Sequence, residues 1–177
     1  AFVWYLIQRT RRLEAARFEA EEMAALGALA ANLAHEIRRS REMNRPLSLV
    51  MFDIDDFKAF NDRNGHQEGN RALAEIGELV RGALRMTDGV ARFGGEEFVV
   101  VLPDFDQAQA VEQAKKIQAR ISNHVFLRDQ GFEVSIRSSF GVATFPYHAD
   151  DMTNLLATAD QALFGAKGAG KDTVKSA

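Results

Sequence analysis

An α+β fold is what this 177-residue sequence predicts: a two-layer α/β sandwich with a mostly antiparallel or mixed central sheet flanked by helices, entered through one long helix. Three observations predict it. Short apolar runs, PLSLVMFDI, EEFVVVLP and SSFGVATF, alternate with longer segments whose apolar residues recur every three to four positions, the separate signatures of strands and helices. The resulting order is strand, helix, helix, strand, strand, helix, strand, helix, which suits a sheet with one face covered by helices. Acidic residues close the first strand and open the third, so the rim of the sheet is left for function.

Taken in order, Arg9 to about Arg45 holds no glycine except Gly27 and no proline before Pro46, and predicts one long helix or two abutting ones. Leu13, Ala20, Gly27 and Ala34, with Ala16, Met23, Ala30 and Ile37, repeat at seven and make a small-residue seam for a paired helix. Leu26, Leu29, Leu33 and Ile37 form a stripe that packs on the domain beyond Pro46. Pro46 stops this helix, and LSLVMFDID is an apolar strand ending in Asp53 and Asp55. A short helix to about Asn64, a break at Gly65, and a longer helix with Leu73, Ile76, Leu79, Val80 and Leu84 inward come next. GVAR and EEFVVVLP flank Gly94 and Gly95 as a hairpin. A helix with Ala110, Ala114, Ile117 and Ile121 inward leads to the strand FEVSIRSSFGVATF, with Val134 and Ile136 inward, and the helix DDMTNLLATADQALFGAKGAG closes the domain before a last edge strand.

Composition narrows the partners. The net charge of -3 divides unevenly, with eight Arg/Lys against six Asp/Glu up to residue 45 and fourteen against nineteen beyond it, so no nucleic-acid partner is expected. The absence of cysteine excludes thiol chemistry and a disulfide scaffold, and fits the cytosol. AFVWYLI followed by QRTRR reads either as a helix start or as the cytoplasmic stub of a transmembrane helix, which would make this the cytoplasmic domain of an inner-membrane protein anchored upstream. LAHEIR resembles the phospho-acceptor segment of sensor histidine kinases, but the chain has no room for the nucleotide-binding domain such a kinase needs, and His35 reads as a helix-surface residue.

The chemistry concentrates around the hairpin. Asp53 ends the first strand, and Glu96 and Glu97 follow the two glycines; if the strands are neighbours, three carboxylates meet and suit Mg²⁺, a hard cation that binds nucleotide phosphates. Lys58 lies on the first turns of a helix, where its charge and free N–H groups can both face phosphate, with Asn61 one turn on. Lys167 and Lys171, four apart on the terminal helix, would share a face.

DIDDFKAFND, GHQEGN, RMTDGVARFGGEEF, SFGVATFP and ADQALFGAKGAGK then occur in one order and spacing that resembles the GGDEF family, the diguanylate cyclases, from Pro46 to the C-terminus. The resemblance divides the chain into an N-terminal helix, 1–45, and a cyclase domain, 46–177. It implies a fold similar to nucleotide-cyclase and polymerase palms, and condensation of two GTP into cyclic di-GMP and two pyrophosphates with Mg²⁺ or Mn²⁺. It further implies a homodimer in which two domains face each other, each holding one GTP. Asp53 and Glu96 look like the metal carboxylates, with the Ile54 carbonyl as a further ligand and Glu97 as a second-metal ligand or helper in activating the hydroxyl. Gly94 and Gly95 let the nucleotide lie against the backbone, Lys58, Lys167 and Lys171 look like phosphate contacts, and Asn61 and Asn70 stand where the family reads guanine. Arg85 and Asp88 match the family's product-inhibition site for cyclic di-GMP. The alternative implied is a catalytically weak sensor of cyclic di-GMP or GTP.

Four departures stand out. Asn70 occupies a position where the family often has Asp, exchanging two acceptor oxygens for one acceptor and one amino group, which predicts a weaker guanine preference. Lys171 and Phe164 replace a usual Arg and Tyr. The DxLTGLxNRRxF segment that usually opens the family's domain reads FEAEEMAALGAL here, predicting continuous helix and slow turnover unless the chain is dimerised.

Overall fold

The computed structural model describes residues 2–131 and 133–177, and their side chains except those of residues 2–19, 21, 22, 26 and 130. Helix α1 (Phe2–Met43) is followed after a turn by β1 (Leu47–Ile54), then α2 (Phe57–Asn64), α3 (His66–Arg81), β2 (Gly89–Gly94), β3 (Glu97–Pro103), α4 (Gln107–Ser122), β4 (Ser138–Phe145), α5 (Met152–Gly168) and β5 (Val174–Ser176). The five strands form one sheet in the order β2-β3-β1-β4-β5. The β1–β3, β1–β4 and β2–β3 pairs are antiparallel and only β4–β5 is parallel.

Because side chains alternate across a strand, the buried central strand β1 feeds two cores. Val50, Phe52 and Ile54 pack with α2, α3 and α4. Leu49 and Met51 pack with Leu29, Leu33 and Ile37 of α1 and with Leu155, Ala159 and Leu163 of α5. Helices therefore line both faces rather than one, since the stripe on the second half of α1 is itself core. Phe52 stands between Phe98 and Phe140, with ring centroids 4.9 and 4.8 Å away, an offset contact that aromatic pairs favour. It fixes β1 between its neighbours directly behind Asp53.

Local chemistry sets the helix ends. Asp106 and Gln109 close a reciprocal capping box at the start of α4, and Asp151 accepts from Asn154 N–H at the start of α5, each satisfying an N–H left free by helix geometry. Gly141 on β4 faces α5 so closely that a Cβ there would lie 2.2 Å from the Ala159 carbonyl oxygen. Only hydrogen fits.

Two further expectations change. The strand expected across FEVSIRSSFGVATF begins only at Ser138; Val134 instead forms an isolated bridge with Phe126, which carries the preceding segment over the core rather than into the sheet. Leu84 falls beyond the end of α3 and, like Leu79, is only partly buried. Leu29, Leu33 and Ile37 are buried as expected, whereas the side chains of Leu13, Ala16 and Leu26 lie outside the described residues. Among the described residues no helix is long and apolar enough to cross a membrane.

Candidate active site

Strand alternation brings the acids together. Asp53 continues the Leu49, Met51 series and Glu97 continues the Val101, Val99 series on the α1/α5 face, and the two are direct partners across β1 and β3. Glu96 sits in the turn between β2 and β3, its carbonyl accepting from Ile54 N–H at 3.3 Å. The turn needs Gly95, whose φ of +22° suits glycine, and open space lies where a Cβ would stand. Arg92 fastens the turn by donating Nε to the Gly95 carbonyl at 2.8 Å.

Burial governs the electrostatics. Asp53 is 5% exposed, and burial pushes its carboxyl above the ordinary range, with Asp55 adding to the rise and Lys167 opposing it. Burial is also the main cause that raises Glu96 and Glu97, followed in both by repulsion from Asp53, and Asp160 of α5 adds to Glu97. Three carboxyls held above their ordinary values are short of positive charge. Lys167 supplies one cation, its Nζ 2.9 Å from Asp53 Oδ2.

Among the described residues no three His, Cys, Asp or Glu side chains converge closely enough to enclose a metal unaided. Mg²⁺ is ordinarily held by one or two carboxylates with substrate phosphates completing its shell. A charge-deficient rim of hard oxygen donors fits that use, with Asp53, Glu96, Glu97 and the Ile54 carbonyl as the donors at hand.

The lysines are placed differently from one another. Lys58 is exposed on the first turn of α2. Lys171 does not share a helix face with Lys167: α5 ends at Gly168, and Gly170 and Lys171 both turn to positive φ, which swings Lys171 Nζ to 2.6 Å from Asp56. This bond raises the Lys171 ammonium. Asp55 serves the scaffold, accepting from Ser139 Oγ at 2.7 Å and from Asp172 N–H at 3.0 Å.

Asn61 lies on α2 and Asn70 on α3, the latter exposed. Arg85 and Asp88 are remote from this rim. Arg85 donates Nη2 to Pro103 carbonyl oxygen at 2.8 Å, and Pro103 pairs with Leu47 at the opposite end of β1, six strand residues or about 20 Å from Asp53. The pair is closed on itself: Nη2 of Arg85 is 2.7 Å from Asp88 Oδ1, its backbone N–H donates to Oδ2 at 2.9 Å, and its guanidinium stacks 4.1 Å from the centroid of Phe105. The Asp88 side chain is 1% exposed while that of Arg85 is half exposed.

Sequence reasoning missed Arg92, Phe105 and Asp160. Arg92 carried a readable signal, a cation two residues before a glycine turn. Phe105 and Asp160 reach their partners through tertiary packing, for which spacing holds no sign.

Among families of known proteins, the one described as "Diguanylate cyclase, GGDEF domain" matches residues 22–173. Protein YhcK of Bacillus subtilis, described as uncharacterized, is 38% identical over 127 residues, covering 72% of this chain and 35% of its own. Diguanylate cyclase A of Treponema denticola is 31% identical over 140 residues, 79% of this chain and 38% of its own. The chain thus spans a little over a third of the length of these relatives. The GGDEF domain of PA1120 (YfiN or TpbB) from Pseudomonas aeruginosa superposes with a TM-score of 0.81 at 34% identity, covering 85% of this chain and 94% of that one. The GGDEF domain of DgcB from Caulobacter crescentus, solved in complex with c-di-GMP, gives a TM-score of 0.80 at 25% identity, with coverage of 85% and 89%.

Proposed function

Because the chain belongs to the GGDEF domain family of diguanylate cyclases, we propose that it condenses two GTP into cyclic di-GMP and two pyrophosphates between two copies of its domain. The observation that carries this reading is the direct pairing of Asp53 with Glu97 across β1 and β3, with Lys167 reaching in from α5.

Asn61 and Asn70 receive the base, and the open backbone at Gly95 takes the nucleotide's body. Lys58, Lys167 and Lys171 hold phosphate oxygens, Lys167 and Lys171 exchanging their carboxylate partners for the triphosphate. Asp53, Glu96, Glu97 and the Ile54 carbonyl would hold Mg²⁺ or Mn²⁺, which when bound supplies charge to the transferring phosphoryl group and makes the attacking hydroxyl more acidic. The 3'-oxygen of one nucleotide forms a bond to the α-phosphorus of the other as the bond to pyrophosphate breaks, and a carboxylate of the cluster, Glu97 foremost, accepts the hydroxyl proton. The same exchange in the opposite sense closes the ring. Cyclic di-GMP returns to the Arg85–Asp88 pair, on the far end of the sheet from the chemistry.

Continuous helix through Phe18 to Leu29, where the family's domain usually opens with acidic, turn and arginine residues, favours slow turnover by the isolated chain unless it is dimerised. The test is pyrophosphate release and product analysis with GTP, ATP and their mixture, plus Mg²⁺, over a wide range of protein concentration. Cyclic di-GMP formed at a rate rising faster than linearly with protein is expected. Silence at every concentration, with cyclic di-GMP still bound, would replace the enzyme by a receptor acting through Arg85.

A further inference from the structure

Gly69 lies in the first turns of α3 and is buried against α2. A Cβ on it would stand 1.8 Å from Asn61 Oδ1, 3.0 Å from Asn61 Cγ and 3.2 Å from Phe57 Cζ. The same Oδ1 is fully buried and finds no hydrogen-bond donor among the described residues. A buried amide oxygen without a donor is held there by packing, not by its own polar chemistry. Its close neighbour is the Gly69 α-carbon, whose C–H is a weak donor. Turning the carboxamide over would press an amino group, a pure donor, on the same carbon, so the oxygen is the end that goes in.

We propose that Gly69 is a positioning residue for base recognition: by lacking a side chain it lodges the Asn61 oxygen against α3 and leaves the Asn61 amino group outward as a fixed hydrogen-bond donor. The inference rests on the reading of Asn61 as a contact to guanine. A base that meets this group must offer an acceptor, as guanine does with its 6-oxo group and ring nitrogens. Asn70, the next residue after Gly69 and exposed, supplies the neighbouring contact and is free to present either end of its own amide.

Helix propensity separates this role from a structural one. Alanine is a better helix former than glycine, so the resistance that Gly69→Ala meets first comes from the Asn61 and Phe57 side chains, and removing the Asn61 carboxamide relieves the tightest of these contacts. Binding of guanosine 5'-(α,β-methylene)triphosphate with Mg²⁺ would be measured by calorimetry for the unaltered protein, Gly69→Ala, Asn61→Ala and the double variant, with thermal unfolding of each. Gly69→Ala is expected to weaken binding about 10-fold, the scale of one hydrogen bond, and to change it less than about 2-fold when Asn61 is already alanine. The double variant is expected to melt no lower than Asn61→Ala. Equal weakening by Gly69→Ala in both backgrounds, or binding that Asn61→Ala weakens and Gly69→Ala leaves unchanged, would overturn the positioning role alone. A folded, unaltered protein that binds no guanine nucleotide would overturn the guanine reading and this role with it.

Discussion

Replacing Gly141 by alanine tests whether packing on β4 is what aims Lys167 at Asp53. The added methyl would stand 2.2 Å from the Ala159 carbonyl oxygen, 2.3 Å from Leu163 N and 2.8 Å from Leu163 Cα. All three are backbone atoms of α5, so no rotamer change relieves the clash and the helix itself must retreat, by about 1 Å for carbon to reach ordinary contact. Overpacking of this kind costs about 1–3 kcal/mol, which at the urea sensitivity of a small domain lowers the unfolding midpoint by about 1 M. Lys167 is one turn beyond Leu163, and its Nζ sits 2.9 Å from Asp53. A shift of about 1 Å at such a group can reduce kcat/KM by about 10²-fold. Urea denaturation and GTP turnover would be measured side by side, with Gly77→Ala as the control, since open space surrounds that position. An unchanged midpoint would refute the packing argument; a lowered midpoint with full turnover would refute the link from Gly141 to the site.

Glu97→Gln should abolish turnover and yet raise the melting temperature at neutral pH. The folded-state pKa of Glu97 is raised, so its contribution to stability is present below the unfolded pKa and lost as pH rises through the folded one; the gain over the unaltered protein should vanish in acid, as melting curves across pH would show. Asn70→Asp restores a second acceptor oxygen and should raise the preference for GTP over ATP by about 1–3 kcal/mol, read from the bases of the cyclic dinucleotides formed in an equal mixture. Arg85→Ala should relieve inhibition by added cyclic di-GMP and also cost about 1–2 kcal/mol in denaturant melts, because Arg85 holds the Pro103 carbonyl and the nearly buried Asp88.

The fold was legible where one period dominates. LSLVMFDI and EEFVVVLP could be little but strands, and the glycines between β2 and β3 marked the turn that presents Glu96 and Glu97. Helix faces at Ala110, Ala114, Ile117 and Ile121 were equally plain, all four being buried. What escaped was set by events too local or too distant for periodicity. Lys171 left the helix because Gly168 to Gly170 end it, although a spacing of four had suggested a shared face. Val134 lies outside the sheet because one bridge to Phe126 captured it. The stacking of Arg85 on Phe105 joins residues twenty apart through the return of β3, and the contact of Gly69 with Asn61 depends on how closely α2 and α3 approach, a distance that no residue pattern encodes.

Helix α1 is unbroken from Phe2 to Met43, and its last turns are fixed to the sheet by Leu29, Leu33 and Ile37. A helix anchored in this way transmits angle as well as position. Each residue added or removed ahead of Leu29 turns everything upstream by about 100° about the helix axis and moves it about 1.5 Å along it. Two chains joined along that helix would therefore present their rims at an azimuth set by residue count. Seven added residues restore the facing to within about 20°, whereas two added residues turn it by about 200°. In such a pair the mutual orientation of the two rims would be written as an integer in the length of the helix.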